Sequence, residues 1–191
     1  MRVERRQTFS QSSISELVRY GARRFRAARL AFGHGTSNAL DEAAYLTLHT
    51  LGLPPDPPES VFARRVEPQA AARILTLYAR RVRERKPAAY LTHEAWLGEF
   101  RFYVDERVVV PRSHIAELLR GNLAPWVRDP GRVKTALDLC TGSGCLAILL
   151  AQNFPRAVID ATDISPAALA VARINVRRYR LGGRIRLIKS D

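Results

Sequence analysis

The run Asp-Leu-Cys-Thr-Gly-Ser-Gly-Cys at residues 138–145 has the residue types and spacing best suited to binding a ligand. An apolar segment leads into Gly142-Ser-Gly144 and an apolar helical pattern follows, which is the order strand, tight turn, helix. Glycine lets the backbone turn sharply and lets a ligand lie against it without an intervening side chain. Together with Ala147, the glycines also fit the GxGxxA pattern of nicotinamide-dependent enzymes, a weak signal by itself.

Carboxylates near this turn favour a cofactor that carries no phosphate. Asp138 would repel a pyrophosphate at the adjacent helix N-terminus, and it would attract a cation at ~4 Å by roughly 1–4 kcal/mol. S-adenosylmethionine offers an ammonium and a sulfonium and has no phosphate. Asp163 follows the next strand, where it can accept hydrogen bonds from ribose hydroxyls of either cofactor. Asp191 ends the third strand, within reach of an adenine amino group.

Some residues around the turn allow more than one interpretation. Asp138 could instead be a carboxylate that caps the following helix. Cys140 and Cys145 lack further ligands at zinc spacing, so we interpret them as small core residues and predict no metal site. Arg112 either faces the active site or only caps the preceding hairpin. The candidate cofactor-binding residues are Asp138, Cys140, Thr141, Gly142, Ser143, Gly144, Asp163 and Asp191.

The elements that must position these residues form an α/β pattern from Lys134 onward. Strands are predicted at 135–140, 157–163 and 184–191, separated by two helices, which implies parallel pairing and right-handed crossovers. In a doubly wound sheet the first strand is central. A chain that stops after the third strand would leave the first as an uncovered edge, and we predict dimerisation through it.

Upstream, residues 1–87 predict a small helical domain. A capping box formed by Ser13 and Glu16 starts an amphipathic helix over 13–30. Further helices are predicted over 39–51 and from Pro68 to about residue 85. The arginine row of the first helix is typical of a solvated face, and it could also steer docking to a partner.

Residues 88–112 predict a β-hairpin that links the helical domain to a third region, residues 113–191. The alternating bulky residues from position 95 to 104 indicate the first strand, with Trp96 on the same side as Phe102. A turn at 105–107 and a second strand at 108–110 complete the predicted hairpin.

Composition limits the class of protein further. The 191 residues are 47% hydrophobic and 26% charged, which excludes wholesale disorder and a membrane bundle. Two cysteines require no disulfide framework, so we predict a cytoplasmic protein. The formal charge is +13, and 28 of the 31 basic residues are Arg. A surface that faces ribonucleoprotein and the codon usage of a GC-rich genome would each explain that excess.

Four stretches, at residues 32–54, 89–113, 137–145 and 160–176, resemble the N5-glutamine methyltransferase family. Cys140, Cys145 and the run Val-Pro-Arg-Ser at 110–113 are closer to the branch that modifies a large-subunit ribosomal protein than to the branch that modifies release factors. The resemblance implies transfer of a methyl group from S-adenosylmethionine to a glutamine side-chain nitrogen. It also implies that residues 1–87 recognise the substrate and that 113–191 are the N-terminal half of a Rossmann-like methyltransferase domain.

The family's catalytic element, Asn-Pro-Pro-Tyr after the fourth strand, has no counterpart in the 191 residues. We therefore expect a truncated chain that holds the cofactor half of the site, and the resemblance assigns no catalytic residue. Three alternatives stay open: a release-factor glutamine methyltransferase, a nicotinamide-dependent oxidoreductase, and a non-catalytic ribosome-binding module.

Overall fold

The structure, a computed structural model, describes residues 12–33 and 35–190 and divides into two compact units, Met1–Thr92 and His93–Asp191. The first unit is helical. Its helices are α1 (Ile14–Ala27), α2 (Ala39–Thr50), α3 (Pro68–Glu84) and α4 (Ala88–Thr92), with a 3-10 turn at Glu59–Ala63.

The helices α1, α2 and α3 begin where the sequence predicts, although α1 ends at Ala27 and not at residue 30. The helix α4 occupies residues 88–92, where the sequence pattern predicts the start of the hairpin segment, so that expectation is wrong. The Ser13 side chain accepts a hydrogen bond from the Glu16 amide, and the Glu16 carboxylate accepts one from the Ser13 amide, so the predicted capping box is confirmed. Asn38 caps α2 through two backbone amides, and Pro68 occupies the first turn of α3. These local bonds satisfy amides that have no partner within a helix.

Two buried polar clusters lie inside the apolar core of the helical unit. The Tyr78 hydroxyl contacts the Thr47 hydroxyl at 2.5 Å and the Ala43 carbonyl at 3.1 Å. The Arg81 guanidinium donates to the Glu42 carboxylate at 2.7 Å, and both side chains are only 2% exposed. A buried ion pair costs desolvation energy, so its removal is harmful mainly when one partner is left behind.

The second unit opens with a hairpin that differs from the predicted one. Strands β1 (Ala95–Leu97) and β2 (Phe100–Phe102) pair antiparallel, with Leu97 opposite Phe100. The turn is at Gly98 (φ +64°) and Glu99, whereas the sequence pattern predicts it at 105–107. Glycine accepts this left-handed conformation without a steric penalty, which allows a two-residue turn.

Two expectations about the hairpin are therefore wrong. Val108–Val110 forms no strand. The carboxylate of Asp105 instead accepts hydrogen bonds from the Arg107 amide and guanidinium, and this local bonding folds the chain back on itself. Trp96 pairs with Arg101 and shares its face, not that of Phe102, because a two-residue turn reverses the alternation between the strands.

A three-stranded parallel sheet follows the hairpin and confirms the predicted α/β pattern. After helix α5 (His114–Arg120) come β3 (Thr135–Asp138), α6 (Cys145–Asn153), β4 (Val158–Asp163), α7 (Pro166–Arg178) and β5 (Ile185–Lys189). The strand order is β3-β4-β5, so β3 lies at a sheet edge in the part of the chain that the structure describes. Leu137 on this strand is 56% exposed. Dimerisation through the edge stays a prediction.

The carboxyl ends of β3 and β4 meet at one edge of the sheet, where parallel α/β folds bind ligands.

Across residues 12–33 and 35–190, we find no helix long and apolar enough to cross a membrane.

The buried ion pair predicts an asymmetric response to mutation. Glu42→Leu leaves the Arg81 charge buried and should lower the free energy of unfolding of the helical unit by about 3–5 kcal/mol. Glu42→Leu combined with Arg81→Met should recover most of that loss. The surface pair Arg80–Glu84 is the control, and Glu84→Gln should cost roughly 0.5 kcal/mol or less. Urea unfolding followed by helical circular dichroism measures all three, and equal losses in the single and double variants would contradict the prediction.

Candidate cofactor site

The glycine turn connects β3 to α6 at the edge of the sheet. Backbone hydrogen bonds hold it in place against the neighbouring strand. The Thr141 amide donates to the Thr162 carbonyl at 2.8 Å, which ties the turn to β4. The Gly144 amide donates to the Thr141 carbonyl at 2.8 Å and closes the turn on itself. Cys140, Gly142 and Gly144 all have positive φ angles, of 56°, 54° and 79°.

The two glycines of the turn have different structural reasons to be glycine. A Cβ on Gly144 would lie 3.1 Å from the Cβ of Ala172 on α7, so this glycine permits the helix to pack against the turn. A Cβ on Gly142 would meet nothing closer than the Cys140 carbonyl at 3.9 Å. Gly142 is therefore the position at which the backbone is open to a ligand.

The Asp138 side chain holds the turn in place through hydrogen bonds on its buried side. Its Oδ2 accepts hydrogen bonds from the Thr141 hydroxyl at 2.5 Å and from the Ala147 amide at 3.0 Å. Ala147 is the third residue of α6, so the carboxylate performs the helix capping that Gly144, the N-cap residue, has no side chain to provide. The capping interpretation of Asp138 is thus what the contacts show.

Asp138 also keeps a negative charge at the wall of a cleft. The residue is only 6% exposed, and burial raises the pKa of its carboxyl above the ordinary range, with a smaller contribution from the nearby Asp163. The charge is costly to maintain in this place. A cation bound in the cleft would offset that cost, and an anion would add to it.

Asp163 closes the other side of the turn. Its Oδ2 accepts from the Gly142 amide at 2.9 Å, and its Oδ1 accepts from the Ser165 amide at 2.9 Å. Each carboxylate oxygen can accept a second hydrogen bond, so a diol could still bind there.

A cleft of about 360 Å³ lies over the turn, and residues 107–113 form its second wall. Arg107 is on this wall and is held by a two-pronged ion pair to Asp105, at 2.9 Å (Nε–Oδ1) and 2.6 Å (Nη2–Oδ2). This pairing lowers the pKa of Asp105 to about 2. Arg112 also lines the cleft.

The structure brings most of the candidate residues together. The turn and β4 contribute Asp138, Cys140, Thr141, Gly142, Ser143 and Asp163 to the cleft lining. Gly144 is not in the lining, because it packs against α7. Asp191 lies outside the residues that the structure describes.

The expectation that both cysteines are core residues is wrong for Cys140, which is exposed. Its left-handed backbone turns the residue out of the strand direction that would have carried it inward. Cys145 is half-buried, and burial raises the pKa of its thiol. Among the residues described, no group of three metal-ligating side chains occurs.

Sequence reasoning missed Arg107, which lines the cleft, and Asn175, a buried polar residue of α7. Arg107 was assigned to a turn, and no local pattern indicates that it faces the glycines. Asn175 lies on the buried stripe of α7 with Ala168, Ala172 and Val176. An amide on an apolar stripe is a signal, since buried polar groups require partners.

Comparison with known proteins defines the class of the second unit. Residues 118–191 match the family model described as "Methyltransferase small domain". The matched residues include the parallel sheet and the glycine turn, so this part of the chain is similar to a methyltransferase domain.

The chain is also similar to named glutamine methyltransferases, the family that the four motif stretches resemble. It is 58% identical over 175 residues to the ribosomal protein uL3 glutamine methyltransferase of Bordetella pertussis, covering 92% of this chain and 59% of that protein. It is 55% identical over 179 residues to the protein of the same name from Burkholderia pseudomallei, covering 94% and 58%. The chain thus spans less than two thirds of the length of these curated relatives.

A solved structure, the N-terminal domain of human METTL16 in complex with SAH, overlaps 63% of this chain and 43% of its own. The identity is 17% and the TM-score is 0.38, too low to add to the assignment.

The two roles of Asp138 can be separated by mutation. Asp138→Asn keeps an acceptor for Thr141 and Ala147 but removes the buried charge, so at neutral pH the variant should be at least as stable as the wild type. Asp138→Ala loses the cap and should cost about 0.5–2 kcal/mol.

The pH dependence provides an independent check on Asp138. The pKa of Asp138 is higher in the folded state than in the unfolded chain. The free energy of unfolding therefore falls as pH rises from the ordinary carboxyl range through the raised pKa, where Asp138 ionises in the folded state. The stability advantage of Asp138→Asn over the wild type should grow over that interval and vanish in acid. Thermal melts at a series of pH values test this, and an Asn variant as unstable as Asp138→Ala at neutral pH would contradict it.

Proposed function

We propose that the cleft binds S-adenosylmethionine. The observation that carries this proposal is the placement of two carboxylates on either side of an open glycine turn, with Asp138 beneath it and Asp163 beside it. Asp163 would accept hydrogen bonds from the ribose hydroxyls, and Gly142 would allow the cofactor to approach the backbone. The charge of Asp138 would favour the ammonium or sulfonium of the cofactor. When bound, the cofactor supplies an electrophilic methyl group.

The nicotinamide alternative fits the same turn less well. Dinucleotide-binding folds place a pyrophosphate at the N-terminus of the helix after the turn. Here the Asp138 carboxylate already accepts from the Ala147 amide in that first helical turn. An anionic phosphate would have to lie near this buried negative charge.

We further propose that the substrate is a glutamine side chain of the large-subunit ribosomal protein uL3, because the relatives carry that activity in their names. An amide nitrogen is a poor nucleophile, since its lone pair is delocalised into the carbonyl. Methyl transfer to it depends on orientation and on polar groups aimed at the amide. The proposed role of this chain is to hold the methyl donor. The proposed roles of its first and third regions are substrate recognition and cofactor binding.

We also propose where the protein acts and which nucleic acid it contacts. A ribosomal protein substrate favours the cytoplasm as the site of action. The net charge of +13 is compatible with contact to ribosomal RNA.

Isothermal titration calorimetry with S-adenosylhomocysteine and NADH tests the cofactor assignment. We expect the first ligand to bind and the second to show no measurable heat. Asp163→Asn should weaken binding at least about tenfold, because bonds to a charged acceptor are each worth roughly 1.5–3 kcal/mol. Asp160→Asn is the matched control, since Asp160 lies on the same strand but pairs with Arg186 on the sheet surface. It should change affinity by less than about twofold. NADH binding without a response to S-adenosylhomocysteine would refute the proposal.

A further inference from the structure

Asn175 is a fully buried amide between the glycine turn and the hairpin. It has no solvent exposure, although it lies on α7, which is otherwise packed through apolar side chains. Its Oδ1 accepts from the Tyr103 amide at 2.7 Å. Its Nδ2 donates to the Tyr103 carbonyl at 3.0 Å and to the Ser143 carbonyl at 2.9 Å.

These three bonds use the specific chemistry of a carboxamide. A side-chain amide offers two N–H donors and an acceptor oxygen. Here both donors are engaged with carbonyls, and the oxygen is engaged with a backbone amide. A carboxylate of the same shape would direct an oxygen at two carbonyl oxygens, and an alkyl side chain would leave three backbone groups without this partner.

The partners of Asn175 belong to the two opposite walls of the cleft. Ser143 is part of the glycine turn, which forms one wall. Tyr103 leads into the other wall, because its hydroxyl donates to Asp105 at 3.0 Å and Asp105 in turn holds Arg107. Arg107 and Ser143 both line the cleft.

We propose that Asn175 is a positioning residue that sets the separation of the two walls of the cofactor cleft. This inference rests on the proposed cofactor-binding function. Asn175 does not line the cleft and acts through Ser143 and Tyr103, so its effect on a ligand is indirect.

Tyr179, the residue that caps the C-terminal end of α7, provides a matched comparison. Its hydroxyl accepts from the Arg101 amide at 2.9 Å and donates to the Arg101 carbonyl at 3.0 Å. Tyr179 thus makes two backbone bonds to β2, and Asn175 makes two to Tyr103, the residue that follows β2. It makes no bond to the glycine turn among the contacts of residues 12–33 and 35–190. Tyr179→Phe should therefore loosen the hairpin without changing the turn.

The test compares Asn175→Ala, Asn175→Asp and Tyr179→Phe with the wild type by calorimetric titration of S-adenosylhomocysteine between pH 5 and 8. Asn175→Ala should bind about tenfold more weakly at every pH, on the scale of a few lost buried bonds. Tyr179→Phe should stay within about twofold of the wild type while melting at a lower temperature.

Asn175→Asp adds a second measurement, the pH dependence of affinity, which we expect to change only if the amide of Asn175 positions the walls of the cleft. At pH 8 its carboxylate would face the Ser143 and Tyr103 carbonyls, and affinity should be at least as low as for Asn175→Ala. Protonation in acid restores a donor, because burial and two carbonyls favour the neutral acid. Affinity should therefore recover toward the wild type at pH 5. The other ionisable groups of the cleft, Asp138, Asp163 and Cys145, are present in every variant, so each affinity is expressed relative to the wild type at the same pH.

The two cysteines give a second measurement that does not require the cofactor. Cys140 and Cys145 flank the turn and are the only thiols in the chain. Asn175→Ala should speed the reaction of Cys145 with a thiol reagent several-fold, and Tyr179→Phe should not.

The outcomes separate the inference from the function on which it rests. A wild-type chain that fails to bind S-adenosylhomocysteine contradicts the proposed function and the inference together. Binding by the wild type, with Asn175→Ala no weaker than Tyr179→Phe, overturns the inference alone. The inference is likewise overturned if Asn175→Asp shows no recovery in acid and the thiol rates are unchanged.

Discussion

Oδ2 of Asp138 holds the end of β3, the glycine turn and the first turn of α6 in a fixed relation. Because the N-cap position of α6 is a glycine, the helix depends on this carboxylate for capping. The same group keeps a buried charge at the wall of the cleft, where its pKa is raised. One carboxylate thus stabilises the local structure through hydrogen bonds and weakens it through desolvation. A bound cation would resolve that conflict, which is why we propose a cationic cofactor for the cleft.

Apolar packing and buried polar groups contribute differently to this fold. Alanines and branched residues on α6 and α7 bring the helices onto the sheet, and Ala172 leaves just enough room for Gly144. Such packing is non-directional, so it does not by itself fix the spacing of the cleft walls. Hydrogen bonds are directional, and Asn175 makes three of them across the gap between α7, the turn and the hairpin. In the helical unit, the paired side chains of Glu42 and Arg81 are likewise polar groups buried among apolar residues.

Much of this structure could be predicted from local sequence signals. Helix boundaries followed from caps such as Ser13 and Asn38, whose effects extend over a few residues. The parallel sheet followed from the alternation of strands and helices. The hairpin turn at Gly98 was missed because a single glycine marks it within a run of alternating bulky residues, whereas the polar residues at 105–107 visibly interrupt that alternation. The contacts of Asn175 could not be predicted, since Tyr103 lies 72 residues away and Ser143 lies 32 residues away. The place of Arg107 at the cleft could not be predicted either, because it depends on how the second wall folds over the turn.

Hydrogen–deuterium exchange with and without S-adenosylhomocysteine tests the central claim most directly, because it locates the ligand on the chain. We predict slower exchange at the glycine turn and the start of α6, at residues 163–168, and along the opposite wall at 107–113. Exchange in the helical unit should be unchanged. Protection confined to the helical unit, or saturating binding with no protection at the turn, would contradict the assignment of the cofactor to this cleft.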